Sequence, residues 1–421
     1  MTPRHAIRAA LAVGGVLAAC APARLDVEAV EPPPRGPQSA DPVVALDPAT
    51  SDLLLAWVAG DSTGWNVYFA RSADQGGSWS APVRVTDREH DVHPHGETSP
   101  RLVAGPSGAV AVAWINSVPA PAKRWPGSNV RFARSADGGR TWSAAVTLND
   151  DTTAGPAGHI FHGAALRGDS TLLVAWMDER GGAAPGNTDE THESHHAEES
   201  DEPDATVYLA ESHDLGASWA ANRPLWGAAC PCCRIGLARG PRGEVVAAWR
   251  RHFPGNVRDV VVTALAAAPG ADIRVHDDNW VYPGCPHTGP GVAVDPAGAT
   301  HVTWYTGRPG APGVFYARRD ATGAFAARVA LVTGKTVPTA HPRVAALPDG
   351  GALVASDVAP GGRPVLFLTR ISAQGRRGGS AEVAGAAADH AELVALPDGG
   401  VIVAWTERGG GRSQVRMVRA R

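Results

Sequence analysis

Cysteine and histidine are concentrated in six short segments of this chain. They read HDVHPHGETSP (90–100), GHIFHG (158–163), ACPCCR (229–234), GCPHTGP (284–290), TAHP (339–342) and DHAE (389–392). Thiolate and imidazole are ligands for Zn²⁺ and for copper, and thiolate favours Cu(I). Cys230, Cys232, Cys233, Cys285 and His287 form the densest group. His95, His159, His162, His341 and His390 are the other candidate ligands. CPCC followed at a distance by CPH is not a common zinc-finger spacing, so the argument rests on register. Each candidate stands 14 to 19 residues ahead of the end of an apolar hairpin. That shared offset predicts that six successive repeats present ligands to one common space. The cysteines also admit a different state. In an oxidising compartment four cysteines can form two disulfides, in three pairings. One bridge would then run to Cys285, since the neighbours Cys232 and Cys233 are hard to join without strain. The histidines would be hydrogen-bonded polar groups in a wet channel.

A second metal-like feature is the run NTDETHESHHAEESDEPD (187–204), with eight acidic residues and His192, His195 and His196. Its composition predicts a solvated, flexible loop with at most weak affinity for divalent cations.

The elements that position these segments repeat along the chain. A short apolar strand, a tight turn with Asp, Gly or Pro, and a second apolar strand recur seven times. The copies end at Trp57, Trp114, Trp176, Trp249, Trp304, Ser356 and Trp405, spaced by 57, 62, 73, 55, 52 and 49 residues. Two more strands usually follow, as in NVYFARS and PVRVTD after the first copy. A period of this length with four strands per unit predicts an all-β fold, a β-propeller of four-stranded blades. Seven blades are expected, with six as the alternative. The last copy has only a third strand, SQVRMVRA (413–420), so LDVEAVE (25–31) is expected to supply its fourth. Such closure removes a sheet edge, and a monomer is expected.

Composition narrows the function further. The 421 residues are 44% hydrophobic and 19% charged, with 49 Gly and 35 Pro. This charged fraction lies below the usual ~25%, which excludes a long coiled coil and a charged disordered chain. The net charge of −4 gives no electrostatic case for nucleic-acid binding.

Residues 1–20 carry Arg4 and Arg8 and then a short apolar run ending Leu17-Ala18-Ala19-Cys20. The run is too short to span a bilayer of about 30 Å. The ending resembles a bacterial lipoprotein lipobox. That resemblance implies export, lipidation of Cys20 and, with Ala21 following, an outer-membrane anchor facing the periplasm or cell surface. An ordinary secretory signal is the other reading. Residues 21–38 are Pro-rich and read as an extended tether, leaving 39–421 as the body.

Within the body, SADQGGSW (72–79), SADGGRTW (135–142) and SHDLGASW (212–219) share one spacing. They resemble the Asp-box of the sialidase (neuraminidase) superfamily, also called the BNR repeat. The resemblance covers most of residues 40–421 and makes Asp74, Asp137 and Asp214 structural. It also implies an arginine triad for a substrate carboxylate, a Tyr–Glu nucleophile pair and an Asp acid. Arg101, Arg234 and Arg343, in SPRLV, CCRIG and HPRVA, are the candidate clamp, or else partners of Glu97 or Glu392. The Phe/Tyr-Arg-Ile-Pro tetrapeptide usual in working sialidases is absent, and the five tyrosines offer no clear Tyr–Glu pair. Three functions remain: a metal (Cu or Zn) or redox site at the channel mouth, an exo-α-sialidase or related glycoside hydrolase, and a non-catalytic scaffold for an envelope protein or glycan.

Overall fold

The second strand of each repeat reads as a nearly continuous apolar run, such as LLLAWVAG, which demands cover on both faces. A computed structural model describes residues 24–33, 37–119, 126–151, 157–180, 205–266, 271–320, 323–385 and 387–421. Cys20 and the whole of the acidic insertion 187–204 lie outside these residues. The described chain is all-β, and its only helical elements are the 3₁₀ turns Gly96–Thr98 and Pro106–Gly108. No described helix is long and apolar enough to cross a membrane.

Strands pair antiparallel in chain order. Five sheets have four strands, and one eight-stranded sheet is two such sets joined by the single pair Ala229↔Arg251. We number the four-stranded units one to seven. Their first strands are Gln38–Leu46, Arg101–Ala104, His159–Arg167, Gly236–Arg239, Gly291–Val294, Arg343–Ala346 and Ala388–Ala395. Each first strand lies against that of the next unit, and the strand of unit seven lies against that of unit one. In the 21–38 segment, Val27–Val30 pairs with Arg412–Ala420, from Val27↔Ala420 to Val30↔Met417, and is the fourth strand of unit seven.

Second-strand indoles fill the space between units. Trp57, Trp114, Trp176, Trp249, Trp304 and Trp405 are all buried. Several also satisfy their N–H: Trp114 donates to the Asp91 carbonyl at 2.8 Å and Trp176 to Asp178 Oδ2 at 2.7 Å.

The Asp-box turns act as latches between units. Asp137 accepts from the Thr141 amide at 2.9 Å and hydroxyl at 2.6 Å, and from the Ser135 hydroxyl at 2.7 Å. Asp74 and Asp214 are bonded in the same way to Ser72 and Ser78, and to Ser212 and Ser218. These bonds hold the Asp74 carboxyl down to about 2. The box of each unit then packs on its predecessor. Trp142 meets Phe69 edge-on at 5.4 Å and Trp219 meets Phe132 at 4.8 Å. Gly216 has φ 85°, and a Cβ there would sit 2.4 Å from the Phe132 ring, so only glycine permits the approach. In unit one, Trp79 donates to the Glu31 carbonyl at 2.9 Å and thereby reaches the N-terminal strand of unit seven.

Phe132 is buried beneath this latch. Phe132→Ala should cost about 3–5 kcal/mol, because the rigid turn above cannot collapse into the cavity. A urea midpoint equal to that of the parent would contradict the latch.

Candidate functional site

The first strands begin at the channel mouth with irregular backbone. Asp41, Phe161 and His390 have φ of 50°, 56° and 50°. They occupy matching bulges, between Ala40 and Val43, Ile160 and Gly163, and Asp389 and Glu392. His287 is also left-handed, at 48°. Such conformations are uncommon for residues other than glycine and cluster at functional sites.

The cysteines form one sulfur cluster. A tight turn, with the Cys233 amide on the Cys230 carbonyl at 3.3 Å, folds residues 230–233 back on themselves. Cys233 Sγ then lies 3.4 Å and Cys232 Sγ 3.9 Å from Cys230 Sγ. These three are buried thiols, and Cys285 is a half-buried thiol. The donor atoms of Cys230, Cys232 and Cys233 lie within 4.8 Å of one another, as do those of Cys232, Cys285 and His287. Two arginines that sequence reasoning did not select shape this cluster. Arg258 donates to Cys230 Sγ at 3.2 Å. Arg250 donates to the carbonyls of Thr288, Arg258 and Tyr305, which straps the 284–290 loop onto unit four. Their only signal is charge inside apolar strands, in VVAAWRRHF and VRDVVVTA. Hydrogen bonds from Cys232, Cys233 and Cys285, and then the Arg258 charge, hold the Cys230 thiol well below its ordinary value. Burial pushes Cys232 and Cys233 up.

The three arginines also meet. Glu392 Oε1 lies 3.0 Å from Arg101 Nη1, 2.5 Å from Arg234 Nη1 and 3.4 Å from Arg343 Nε. Glu97 Oε1 accepts from Arg343 Nη2 at 3.1 Å, and Glu97 Oε2 from the Gly289 amide at 3.2 Å. The seat for a carboxylate is thus filled by Glu392 of this same chain. Burial opposes charge on Glu392, yet Arg234, Arg101 and Arg343 hold its carboxyl down to about 2. Burial, with the like charges of Arg101 and Arg343, lowers Arg234 to about 9.

The histidines do not all converge. His341 Nδ1 lies 2.6 Å from Asp357 Oδ2, its Nε2 lies 3.0 Å from the His287 carbonyl, and its ring stacks on His390 at 4.1 Å. Burial opposes charge on His341, but Asp357 and Glu97 outweigh it and raise its pKa. His95 and His287 lie against the Phe161 ring, at 6.3 and 6.4 Å. Burial and the neighbouring His390 lower His95 to about 4. His159 and His162 stand apart from the expected ring. His159 Nε2 lies 2.9 Å from Asp151 Oδ2 and its Nδ1 2.5 Å from the Ser128 carbonyl, so both nitrogens are engaged by unit two and the segment that follows it. His162 is fully buried with Nε2 on the Ala113 carbonyl at 3.2 Å, and burial lowers it to about 3. Both imidazoles are thus bonded toward unit two, and neither joins the clustered donor groups of the described residues.

Residues 51–263 match the BNR repeat-like domain, half of the chain. The chain belongs to the BNR repeat family. Its β-propeller fold resembles the α-L-arabinanase of Penicillium chrysogenum, solved with arabinobiose, at 16% identity and a TM-score of 0.51, covering 94% of this chain and 98% of that one. It also resembles an α-L-arabinofuranosidase of Fusarium graminearum, solved with an iminosugar inhibitor, at 15% identity and 0.51, covering 95% and 98%. No curated protein matches the sequence.

Because the Glu392 carboxyl is depressed in the folded state, its pairing stabilises fully above pH about 4.5 and is lost as pH falls through about 2. Glu392→Gln leaves three buried guanidinium groups facing Glu97 alone and should cost about 3–5 kcal/mol near neutral pH. The difference from the parent should shrink on acidification. Urea midpoints near neutrality and in acid measure it, and an equal loss at both would contradict the ion network.

Proposed function

We propose that this BNR propeller is an exported protein of seven blades whose channel mouth binds copper or zinc through Cys230, Cys232, Cys233, Cys285 and His287. The observation that carries the reading is the packing of three buried sulfur atoms within 4.8 Å of one another, linked through Cys232 to Cys285 and His287. Close thiolates repel unless protons or a cation separate them. A soft or borderline ion bridging them would neutralise the charge, with Arg258 balancing what remains. The bound metal would supply a Lewis-acidic or electron-carrying centre. The protein's part is to fix the sulfur atoms, exclude water, and hold Cys285 and His287 through Arg250. Seven four-stranded units in cyclic contact support the blade count. The lipobox-like ending at Cys20 supports lipid attachment to the outer membrane, and the cyclic contact of the units supports a monomer.

Elemental analysis of the untagged mature domain, exported to the periplasm, should give about one Cu or Zn per chain that depends on the sulfur cluster. Cys285→Ser should lose at least tenfold in affinity, with an unchanged urea midpoint of the metal-free form. Absence of metal after loading under reducing conditions would overturn the reading.

A second reading, a glycoside hydrolase, is favoured by the arabinan-active proteins that share the fold and by the three converging arginines. On that reading Glu392 would have to leave its seat to admit a substrate carboxylate, or the arginines would serve only the fold. Hydrolysis of arabinan or α-linked sialosides by the metal-free chain would support this reading. Loss of the activity on Arg234→Lys, in a variant that remains folded, would tie it to the channel.

A further inference from the structure

We propose that the mouth carries a second cation site, separate from the sulfur cluster, in which His390, His341 and Glu97 ligate a divalent first-row cation of the Zn²⁺ type beside the Asp41 carboxylate. It does not rest on the sulfur site. Donor atoms of Glu97, His341 and His390 lie within 4.8 Å of one another. Two imidazoles and one carboxylate suit zinc and its divalent neighbours, and only a small contraction would bring such donors to bonding range.

Independent observations point to a ligand at this place. Neither ring nitrogen of His390 makes a well-formed hydrogen bond, Nδ1 resting 3.3 Å from Asp389 Oδ1, and both carboxylate oxygens of Asp41 are buried without a partner. Asp41 is only 1% exposed. Arg408 reaches no nearer than 4.0 Å, and the His390 charge acts on Asp41 more strongly than Arg408 or the His95 amide. Buried polar groups are normally paired, so the Asp41 carboxylate requires an explanation. Asp41 and His390 sit at matching left-handed bulges of units one and seven, whose first strands are in contact. The strain is therefore placed beside the Asp41 carboxylate. His390 and Glu97 approach because residue 96 is glycine, where a Cβ would lie 2.3 Å from His390 Cγ.

The surrounding groups orient the donors. Asp357 fixes His341 through Nδ1 at 2.6 Å, leaving Nε2 as the ligand atom, which here rests on the His287 carbonyl at 3.0 Å. A carboxylate behind a ligating imidazole is the usual means of fixing its ring. Glu97 Oε1 lies 3.7 Å from His390 Nε2 and is shared with Arg343, whose charge should keep affinity moderate.

The test is a Co²⁺ titration of the reduced, full-length chain, with Co²⁺ standing in for zinc. Sulfur ligation gives a near-ultraviolet charge-transfer band, whereas an imidazole–carboxylate site gives only visible bands. Beside any equivalent that shows sulfur charge transfer, one equivalent with visible bands alone is expected. Asp41→Asn and His390→Asn should each weaken it tenfold or more, and Cys285→Ser should leave it unchanged. Asparagine is isosteric with Asp41 and tolerates the left-handed backbone of His390, so both variants should keep the parent urea midpoint without metal. If His390→Asn does not fold, Asp41→Asn decides alone. No such equivalent in the parent, or one indifferent to the folded variants, overturns the proposal. Visible bands with no charge transfer would uphold this site and remove the sulfur reading.

Discussion

Glu392 Oε1 receives guanidinium groups from units two, four and six at the axis of the ring. A charge cluster this deep is tolerated only while its members neutralise one another. Glu97 takes up part of the surplus through Arg343 and fastens the 284–290 loop through the Gly289 amide. The network therefore sets where the loops at the mouth can lie. It ties unit seven to three other units across the channel, which the sheets alone cannot do.

Soft and borderline donors are sorted around that network. Sulfur lies on the side of units three to five, strapped by Arg250 and charge-balanced by Arg258. Imidazole and carboxylate lie on the side of units six, seven, one and two. His287 stands between them, grouped through its side chain with Cys232 and Cys285 and through its carbonyl with His341. The barrier between the two donor types is only this loop. Its position depends on the Arg250 bond to the Thr288 carbonyl, the Gly289 amide on Glu97, and packing of His287 on Phe161.

Much of the fold was legible because it rests on local signals. Paired apolar strands ending in Trp gave the repeat, and the Asp-boxes gave the family. The missing fourth strand after 413–420 pointed to residues 25–31, and Val27–Val30 pairs there. The convergence of Arg101, Arg234 and Arg343 could be anticipated from their place at strand starts. Glu97 and Glu392 were readable as alternative partners, and both are; that Glu392 takes the centre was not, because it stands 49, 158 and 291 residues from Arg343, Arg234 and Arg101. The offset of His159 and His162 matched the other mouth residues, yet their side chains turn inward. A bulge shifts facing by one residue without changing sequence spacing. Asp41 gave no signal, since an aspartate before a proline reads as an ordinary turn. Arg250 and Arg258 were overlooked because their role is to hold carbonyls and a sulfur atom that only the folded chain brings near.

X-ray absorption at the metal edge of the copper- or zinc-loaded chain tests the central claim most directly. Sulfur scatterers at about 2.3 Å around zinc, or a comparable sulfur shell around copper, are predicted, with loss of sulfur on Cys285→Ser. A first shell of nitrogen and oxygen alone would contradict the sulfur site.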